Sequence, residues 1–222
     1  MGEILFRTKL SENLFEGLSP WMQKLPGGLI HVNVVGCAIF AAISGSSAAT
    51  VATVGKMSIP ELRKRNYPEK ILLGSLAGSG TLGLLIPPSI ILIIYGVTVQ
   101  ESIAKLFIAG IFPGIMIAFI FMTYVVIWSL MNKNKMPVLT EEIPFIYKIK
   151  KSGKLIPVIL LIVSVIGSIY SGVATATEAA SLGVVGALIL SFFQKSLTVD
   201  SFKMSLLGAT KTSCMIGFIL AG

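Results

Sequence analysis

The stretch that decides the fold runs from residue 25 to residue 55 and reads LPGGLIHVNVVGCAIFAAISGSSAATVATVG. It carries no formal charge and lies between Lys24 and Lys56. One bilayer crossing needs about 20 apolar residues and two need about 40, so the length fits neither. It fits two short helices that enter the membrane and return, with the polar residues 44–50 at the tip. Irregular backbone at membrane depth must be buried in protein or line a water-filled cavity. The stretch therefore predicts a re-entrant hairpin and an intramembrane binding site.

The composition predicts an all-α integral membrane protein. Of 222 residues, 54% are hydrophobic and 13% are charged, whereas a soluble domain is about a quarter charged. The net charge of +8 does not indicate nucleic-acid binding, because the basic residues lie between apolar runs and resemble cytoplasmic loop anchors. Cys37 and Cys214 lie in apolar surroundings, which predicts neither a disulfide framework nor a metal site.

Loop charge predicts the topology. The loops 56–70, 133–154 and 195–203 have net charges of +3, +4 and +1. Because positive loops stay in the cytoplasm, the chain should cross the membrane twice between consecutive positive loops, once outward and once back. The predicted crossings lead outward at 71–100 and 155–171 and back at 106–132 and 179–194.

The N-terminal segment 1–24 forms a separate region. Apolar side chains recur there at three- and four-residue spacing, from Phe6 to Leu25. This spacing predicts an amphipathic helix over 1–24 that lies in the membrane interface. A helix that packs on another subunit would show the same pattern.

A second interrupted segment follows the hairpin. Residues 71–100 contain Gly78-Ser79-Gly80-Thr81-Leu82-Gly83 and then Ile86-Pro87-Pro88-Ser89. Proline removes a backbone donor and clashes with the preceding helical turn, so we expect a discontinuous helix here. Interrupted hydrophobic segments are the best sequence indicator of a transporter site near the bilayer midplane.

The chemistry of this site favours Na⁺ and an organic acid. The runs 25–55, 71–100 and 106–132 contain no Asp or Glu, and His31 is the one residue there that titrates near neutral pH. Proton-coupled transporters usually keep such groups inside the membrane, so proton coupling is disfavoured. Hydroxyl and carbonyl oxygens suit Na⁺, and the N-termini of half-helices suit a carboxylate. No organic cofactor is expected.

Six short motifs resemble the large membrane subunit of TRAP (tripartite ATP-independent periplasmic) transporters. They are LPGGL at 25–29, SGSSAAT at 44–50, SGTLG at 79–83, IPPS at 86–89, LFIAG at 106–110 with Pro113-Gly114, and TATEAA at 175–180. The family commonly has proline where this chain has Ala176. The resemblance implies an elevator-type, Na⁺-coupled transporter with inverted repeats in the bacterial inner membrane. It also implies a small membrane subunit and a periplasmic substrate-binding protein as partners.

The resemblance also assigns site residues and predicts an internal fragment. Na⁺ ligands would come from Ser44, Gly45, Ser46, Ser79, Gly80 and Thr81, and substrate contacts from Ser46, Ser47, Pro87 and Ser89. The family's subunit is roughly twice as long as this chain. Residues 25–132 would form the transport region of the first repeat, 133–154 a cytoplasmic loop, and 155–222 a truncated second repeat. One half-site would then be present, and the acid carried stays open between sialic acid, C4-dicarboxylates and others.

Three alternative interpretations also fit the sequence. Ser46 and His31 could serve an intramembrane hydrolase, although no G-x-S-x-G motif is present and the two residues are well separated along the chain. The chain could be a non-transporting membrane scaffold or remnant. It could also belong to another Na⁺-coupled carboxylate carrier with the same architecture, which a neighbouring gene for a periplasmic binding protein would argue against.

Overall fold

The computed structural model describes residues 2–6, 10–137 and 144–221, and within these ranges the regular structure is entirely helical. The predicted all-α class is therefore confirmed. The helices are α1 (Gly2–Phe6), α2 (Leu10–Met22), α3 (Ile30–Ser44), α4 (Ser47–Lys64), α5 (Glu69–Gly80), α6 (Ile90–Val99), α7 (Ile103–Met131), α8 (Phe145–Ser152), α9 (Ile156–Tyr170), α10 (Ala176–Phe193) and α11 (Val199–Ala221).

Helices α3 and α4 form an antiparallel hairpin that turns at Gly45 and Ser46. A methyl group added at Gly36 would lie 3.6 Å from Val54 Cγ1, so the two helices pack along their length. With 15 residues, α3 is about 22 Å long at 1.5 Å per residue, which is shorter than the roughly 30 Å hydrocarbon core. Helix α4 continues past residue 55, and its C-terminal turns, which are charged, end at Lys64.

Helix α3 lies at the centre of the molecule. It is apolar on all sides, and such a helix needs to be surrounded by protein or lipid. Here it is surrounded by α2, α4, α5 and α7. Its side chains Ile30, Val34 and Phe40 are almost completely buried. The hairpin tip is therefore carried by the most enclosed helix of the chain.

The second segment is broken as the proline pair predicts. Helix α5 ends at Gly80, a 3₁₀ turn covers Thr81–Leu84, and α6 begins at Ile90. Helix α7 lies against the break: a Cβ at Gly110 would come 2.6 Å from the Leu85 carbonyl oxygen. The missing side chain at Gly110 thus lets α7 approach the irregular backbone closely.

Within the described ranges, two helices, α7 and α10, are long and apolar enough to cross a membrane. Helices α8 and α9 form a pair bent by 50° that would count as a third span if taken together, whereas α3 and α6 are shorter apolar helices. Helix α10 starts with the capping box that Thr175 and Glu178 predict. Of the run 212–222, residues 212–221 form the C-terminal part of α11, which begins earlier, at Val199, and residue 222 lies outside the described ranges.

Two regions differ from the sequence-based expectation. The predicted helix over 1–24 is two helices, α1 and α2, with residues 7–9 outside the described part of the chain. Leu14 and Leu18 of α2 are buried in the main core, because α2 packs on α3 and α8 of the same chain. The predicted loop 133–154 contains a further helix, α8, and residues 138–143 of that loop lie outside the described ranges.

Candidate functional site

The hairpin tip is a two-residue turn between helices of opposite direction. Gly45 adopts the left-handed conformation with φ of 63°, and its N–H donates to the Ala41 carbonyl at 3.1 Å. Ser46 is extended and caps α4, since its Oγ accepts from the Ala49 N–H at 3.4 Å. Glycine tolerates a left-handed φ and serine is a preferred N-cap, so the local sequence accounts for the turn.

Hydroxyl groups close this turn from inside. Ser44 Oγ lies 2.8 Å from Thr50 Oγ1, which also donates to the Ser46 carbonyl at 2.8 Å. The Ser46 N–H donates to Ser44 Oγ at 3.3 Å. Thr50 is fully buried and is absent from the sequence-predicted site residues. Its position four residues after Ser46, on the first turn of α4, is the sequence signal that could have identified it.

The tip contacts the broken helix directly. The Ile90 N–H at the start of α6 donates to the Gly45 carbonyl at 3.2 Å. A Cβ at Gly45 would lie 2.7 Å from the Pro88 carbonyl oxygen, and one at Gly83 would lie 3.0 Å from the Ser47 nitrogen. The structure therefore brings together two interrupted segments that are separate in the sequence.

The predicted residues of the broken helix have different surroundings. Ser89 is buried and its Oγ donates to the Leu84 carbonyl at 2.7 Å, so α6 has no side-chain cap. Pro87 is buried beside it. Thr81 is exposed and its Oγ1 donates to the Gly78 carbonyl at 2.6 Å. At Gly80, an added Cβ would lie 3.8 Å from the Ser47 carbonyl oxygen, so the end of α5 faces the start of α4.

Ser79 faces the middle of α3. Its hydroxyl donates to the Ser75 carbonyl at 2.6 Å and lies 3.4 Å from the Asn33 carbonyl. Asn33 in turn donates through Nδ2 to the Leu72 carbonyl at 3.2 Å and to Ser75 Oγ at 3.0 Å. These contacts join α3 to α5 and support the hairpin away from its tip.

Ser47 Oγ is the one hydroxyl of the tip that is buried without a hydrogen-bonding partner in the described structure. A buried polar group left unpaired costs about 1–3 kcal/mol, and native proteins contain few of them. Ser47 begins α4 next to the turn at Gly83. The lone pairs of this oxygen are therefore not used by any group of the described structure.

The surrounding donor set is uncharged. The described ranges contain no group of three or more His, Cys, Asp or Glu side chains able to hold a metal ion. Serine and threonine hydroxyls and backbone carbonyls are hard oxygen ligands, which alkali and alkaline-earth cations prefer over transition metals. Such a neutral set fits a monovalent cation best, because it supplies no negative charge to balance a higher one.

His31 takes no part in this arrangement. Its Nε2 is 2.8 Å from the Pro26 carbonyl, and the side chain is buried below the glycine loop at the base of the hairpin. Ser46 lies beyond the opposite end of α3, a helix about 22 Å long. A nucleophile and its base must lie within hydrogen-bonding reach, so the Ser46–His31 hydrolase interpretation is wrong.

The base of the hairpin is held by Tyr67. This residue lies in the turn between α4 and α5, and its buried hydroxyl accepts the Leu29 N–H at 3.0 Å. One of the unpaired N–H groups that begin every helix is thereby satisfied near the start of α3.

Comparison with known proteins gives consistent matches. A family model described as "Tripartite ATP-independent periplasmic transporter, DctM component" matches residues 1–222. The C4-dicarboxylate TRAP transporter large permease protein DctM of Pseudomonas aeruginosa is 37% identical over 88% of this chain and 45% of its own length. The 2,3-diketo-L-gulonate TRAP transporter large permease protein YiaN of Escherichia coli is 34% identical over 99% of this chain and 51% of its own. The ectoine/5-hydroxyectoine TRAP transporter large permease protein UehC of Ruegeria pomeroyi is 34% identical over the same shares. The chain spans about half the length of these relatives.

Proposed function

Because this chain belongs to the DctM component family of tripartite ATP-independent periplasmic transporters, we propose that it supplies one half of a Na⁺-coupled site for a small organic acid. The family consists of transporter components, so the chain is a membrane transport protein and not an enzyme. We infer that it acts within the large subunit in the bacterial inner membrane. A small membrane subunit and a periplasmic substrate-binding protein would be its partners.

The contact between the hairpin tip and the broken helix carries this proposal. Gly45 and Ile90 are joined by a backbone hydrogen bond, and Ser47 Oγ lies at the same junction without a partner in the described structure. Ser44 and Thr50 are occupied in closing the turn. Among the tip hydroxyls, Ser47 is therefore the best candidate for a Na⁺ ligand, although the resemblance assigns Ser47, like Ser46, to the substrate.

The organic acid is proposed from the start of α6. This helix begins at Ile90 beside the tip and lacks a side-chain cap. The Ile90 N–H is bonded to the Gly45 carbonyl, so the anion would face the N–H groups that follow Ile90 in the first turn and the helix dipole. The relatives are named for C4-dicarboxylates, 2,3-diketo-L-gulonate and ectoine. Family membership therefore leaves the substrate open, and the carboxylate is proposed from the helix terminus alone.

The elevator mechanism is proposed on the same basis. Tip and break are held together by packing at Gly83 and Gly45, so the two segments can move as one unit with their ligands. Ser44, Gly45, Ser46, Gly80 and Thr81 stay proposed Na⁺ ligands or neighbours, with Ser79 supporting them from α5. Pro87 and Ser89 stay proposed substrate contacts through the irregular backbone they shape.

The decisive experiment compares Ser47→Ala with Ser181→Ala in Na⁺-dependent uptake. The protein is reconstituted with its partner subunits in proteoliposomes, and uptake is measured against Na⁺ concentration. Losing one oxygen ligand worth about 1–1.5 kcal/mol should weaken apparent Na⁺ affinity about tenfold. Ser181 on α10 is the control, because its exposed hydroxyl donates only to the Thr177 carbonyl of its own helix.

Thermal unfolding separates a binding effect from a folding effect. Removing an unpaired buried hydroxyl should leave stability unchanged or raise it, so Ser47→Ala should lose Na⁺ affinity without a lower Tm. Ser46→Ala is less informative, because it also removes the cap of α4. Wild-type uptake that persists when K⁺ replaces Na⁺ would overturn the coupling, and an unchanged Na⁺ dependence in Ser47→Ala would remove the tip from the ion site.

A further inference from the structure

Helix α8 carries an apolar face that stays largely exposed in the described structure. Phe145, Ile146 and Ile149 fall on one side of the helix, and Ile146 is 81% exposed. The lysines and Tyr147 occupy the remaining sides. A short helix with this division between apolar and basic faces is typical of segments that lie in a membrane interface.

Contacts with α2 fix the orientation of α8. Trp21 Nε1 donates to Ser152 Oγ at 2.6 Å, and the Trp21 ring meets Phe145 edge-on with centroids 6.1 Å apart. Lys148 Nζ lies 5.7 Å from the centre of the Trp21 ring. Helix α2 therefore packs against the side of α8 that carries Phe145, Lys148 and Ser152. Ile146 and Ile149 lie outside this contact and remain exposed.

The basic side of α8 has an excess of positive charge. Lys148, Lys150, Lys151 and Lys154 lie close together in sequence. Glu16 of α2 pairs with two of them, at 2.7 Å from Lys151 Nζ and 2.6 Å from Lys154 Nζ. Glu141 and Glu142 precede α8 outside the described residues, yet the segment 133–154 has a net charge of +4 with both included. The segment therefore keeps an excess of positive charge, and part of that excess is the exposed Lys150.

The position of α8 matches a membrane surface. It meets α9 at an angle of 50°, and α9 carries the apolar run that leads into the membrane. Helix α8 thus turns aside where the span begins, on the side that loop charge assigns to the cytoplasm. The cytoplasmic leaflet is the one that attracts basic juxtamembrane segments through its anionic lipids.

We propose that α8 together with Trp21 forms a docking surface for anionic phospholipids. Ile146 and Ile149 enter the boundary between headgroups and acyl chains, and Trp21 lies at headgroup level. Lys150 and Lys154 extend to lipid phosphates while their aliphatic stems cover apolar surface. The interfacial helix expected over 1–24 is replaced in this role by α8, because α2 buries its own apolar face.

Insertion is tested with a spin label at Ile146→Cys in a Cys214→Ser background, with the protein in lipid nanodiscs. Cys37 is fully buried and should not label. The label should collide more with oxygen, which concentrates in lipid, than with a water-soluble nickel chelate. Lys135→Cys, exposed in the same segment, is the control and should show the opposite preference. A nickel-accessible label at 146 would overturn the proposal, and a label shielded from both reagents would overturn it by showing a protein partner there.

Headgroup selectivity is tested with Trp21 fluorescence in a Trp128→Phe background, which leaves Trp21 as the single tryptophan. Brominated phosphatidylglycerol and brominated phosphatidylcholine are compared at equal mole fraction. One lysine near an anionic surface corresponds to about a fivefold enrichment, so phosphatidylglycerol should quench more strongly. The stronger quenching by phosphatidylglycerol should disappear in K150Q/K154Q, a variant that keeps Lys151 paired with Glu16. Equal quenching by the two lipids in the wild type, or an excess that survives in K150Q/K154Q, would overturn the headgroup assignment.

Discussion

Replacing Gly45 by alanine should separate the hairpin tip from the broken helix. The residue has φ of 63°, and the added methyl would lie 2.7 Å from the Pro88 carbonyl oxygen. Side-chain Cβ atoms essentially never come within 3.0 Å of such an atom, so tip and break must move apart. The hydrogen bond between Ile90 N–H and Gly45 C=O, already 3.2 Å long, is at the upper end of the normal range and would weaken.

The cost follows from two contributions. A left-handed conformation costs an L-residue about 1–2 kcal/mol, and the net value of the weakened hydrogen bond is about 0.5–1.5 kcal/mol. Together they amount to about 1.5–3.5 kcal/mol, which would shift the docking equilibrium of the tip about 12- to 300-fold. Because both ligand sites are proposed at this junction, weaker docking of the tip on the broken helix should also reduce the transport rate.

The assay is Na⁺-dependent uptake in proteoliposomes, together with thermal unfolding in detergent. Gly45→Ala should lower Tm and reduce uptake by more than tenfold. Gly74→Ala on α5 is the matched control, since no atom lies within 4 Å of its added methyl and alanine favours a helix over glycine by up to about 1 kcal/mol. Wild-type uptake and Tm in Gly45→Ala would refute the contact between tip and break as the core of the site.

Three further predictions concern the support of the site. Tyr67→Phe leaves the buried Leu29 N–H unpaired and should cost about 1–3 kcal/mol of stability, seen as a lower Tm, whereas Tyr124→Phe at an exposed position should stay within about 0.5 kcal/mol. Two lysine partners lower the pKa of Glu16 below its ordinary value near 4.5. Its stabilising effect should therefore be complete above that ordinary value and disappear as pH falls through the lowered pKa, so that the Tm values of wild type and Glu16→Gln differ at neutral pH and converge in acid. Thr175→Ala removes the capping box of α10 and should cost about 1 kcal/mol, measured by thermal unfolding. An unchanged Tm would show that this helix end is held by packing instead.

Much of the fold follows from local chemistry along the chain. The glycine and serine at 45 and 46 stop one helix and start the next, and the proline pair at 87 and 88 interrupts α5–α6. These effects act within a few residues, so the sequence predicts them without knowledge of the partners. The surroundings of α2 and α8 were not predictable in this way. Their amphipathic patterns are alike in kind, and only packing shows that α2 faces the core while α8 keeps Ile146 exposed.

The sequence by itself determined that this is a helical membrane protein with two interrupted apolar segments, and its motifs indicated the family that the whole-chain match established. Only the tertiary structure decided how the hydroxyl groups are used. Ser79 faces α3, Ser44 of α3 bonds to Thr50 of α4, and Ser47 Oγ has no hydrogen-bonding partner in the described structure. The physical reason is that a helix break is local. It depends on backbone conformation and on missing backbone N–H donors within one or two turns of the same helix. The partner of a hydroxyl depends instead on which distant helix packs within about 3 Å of it.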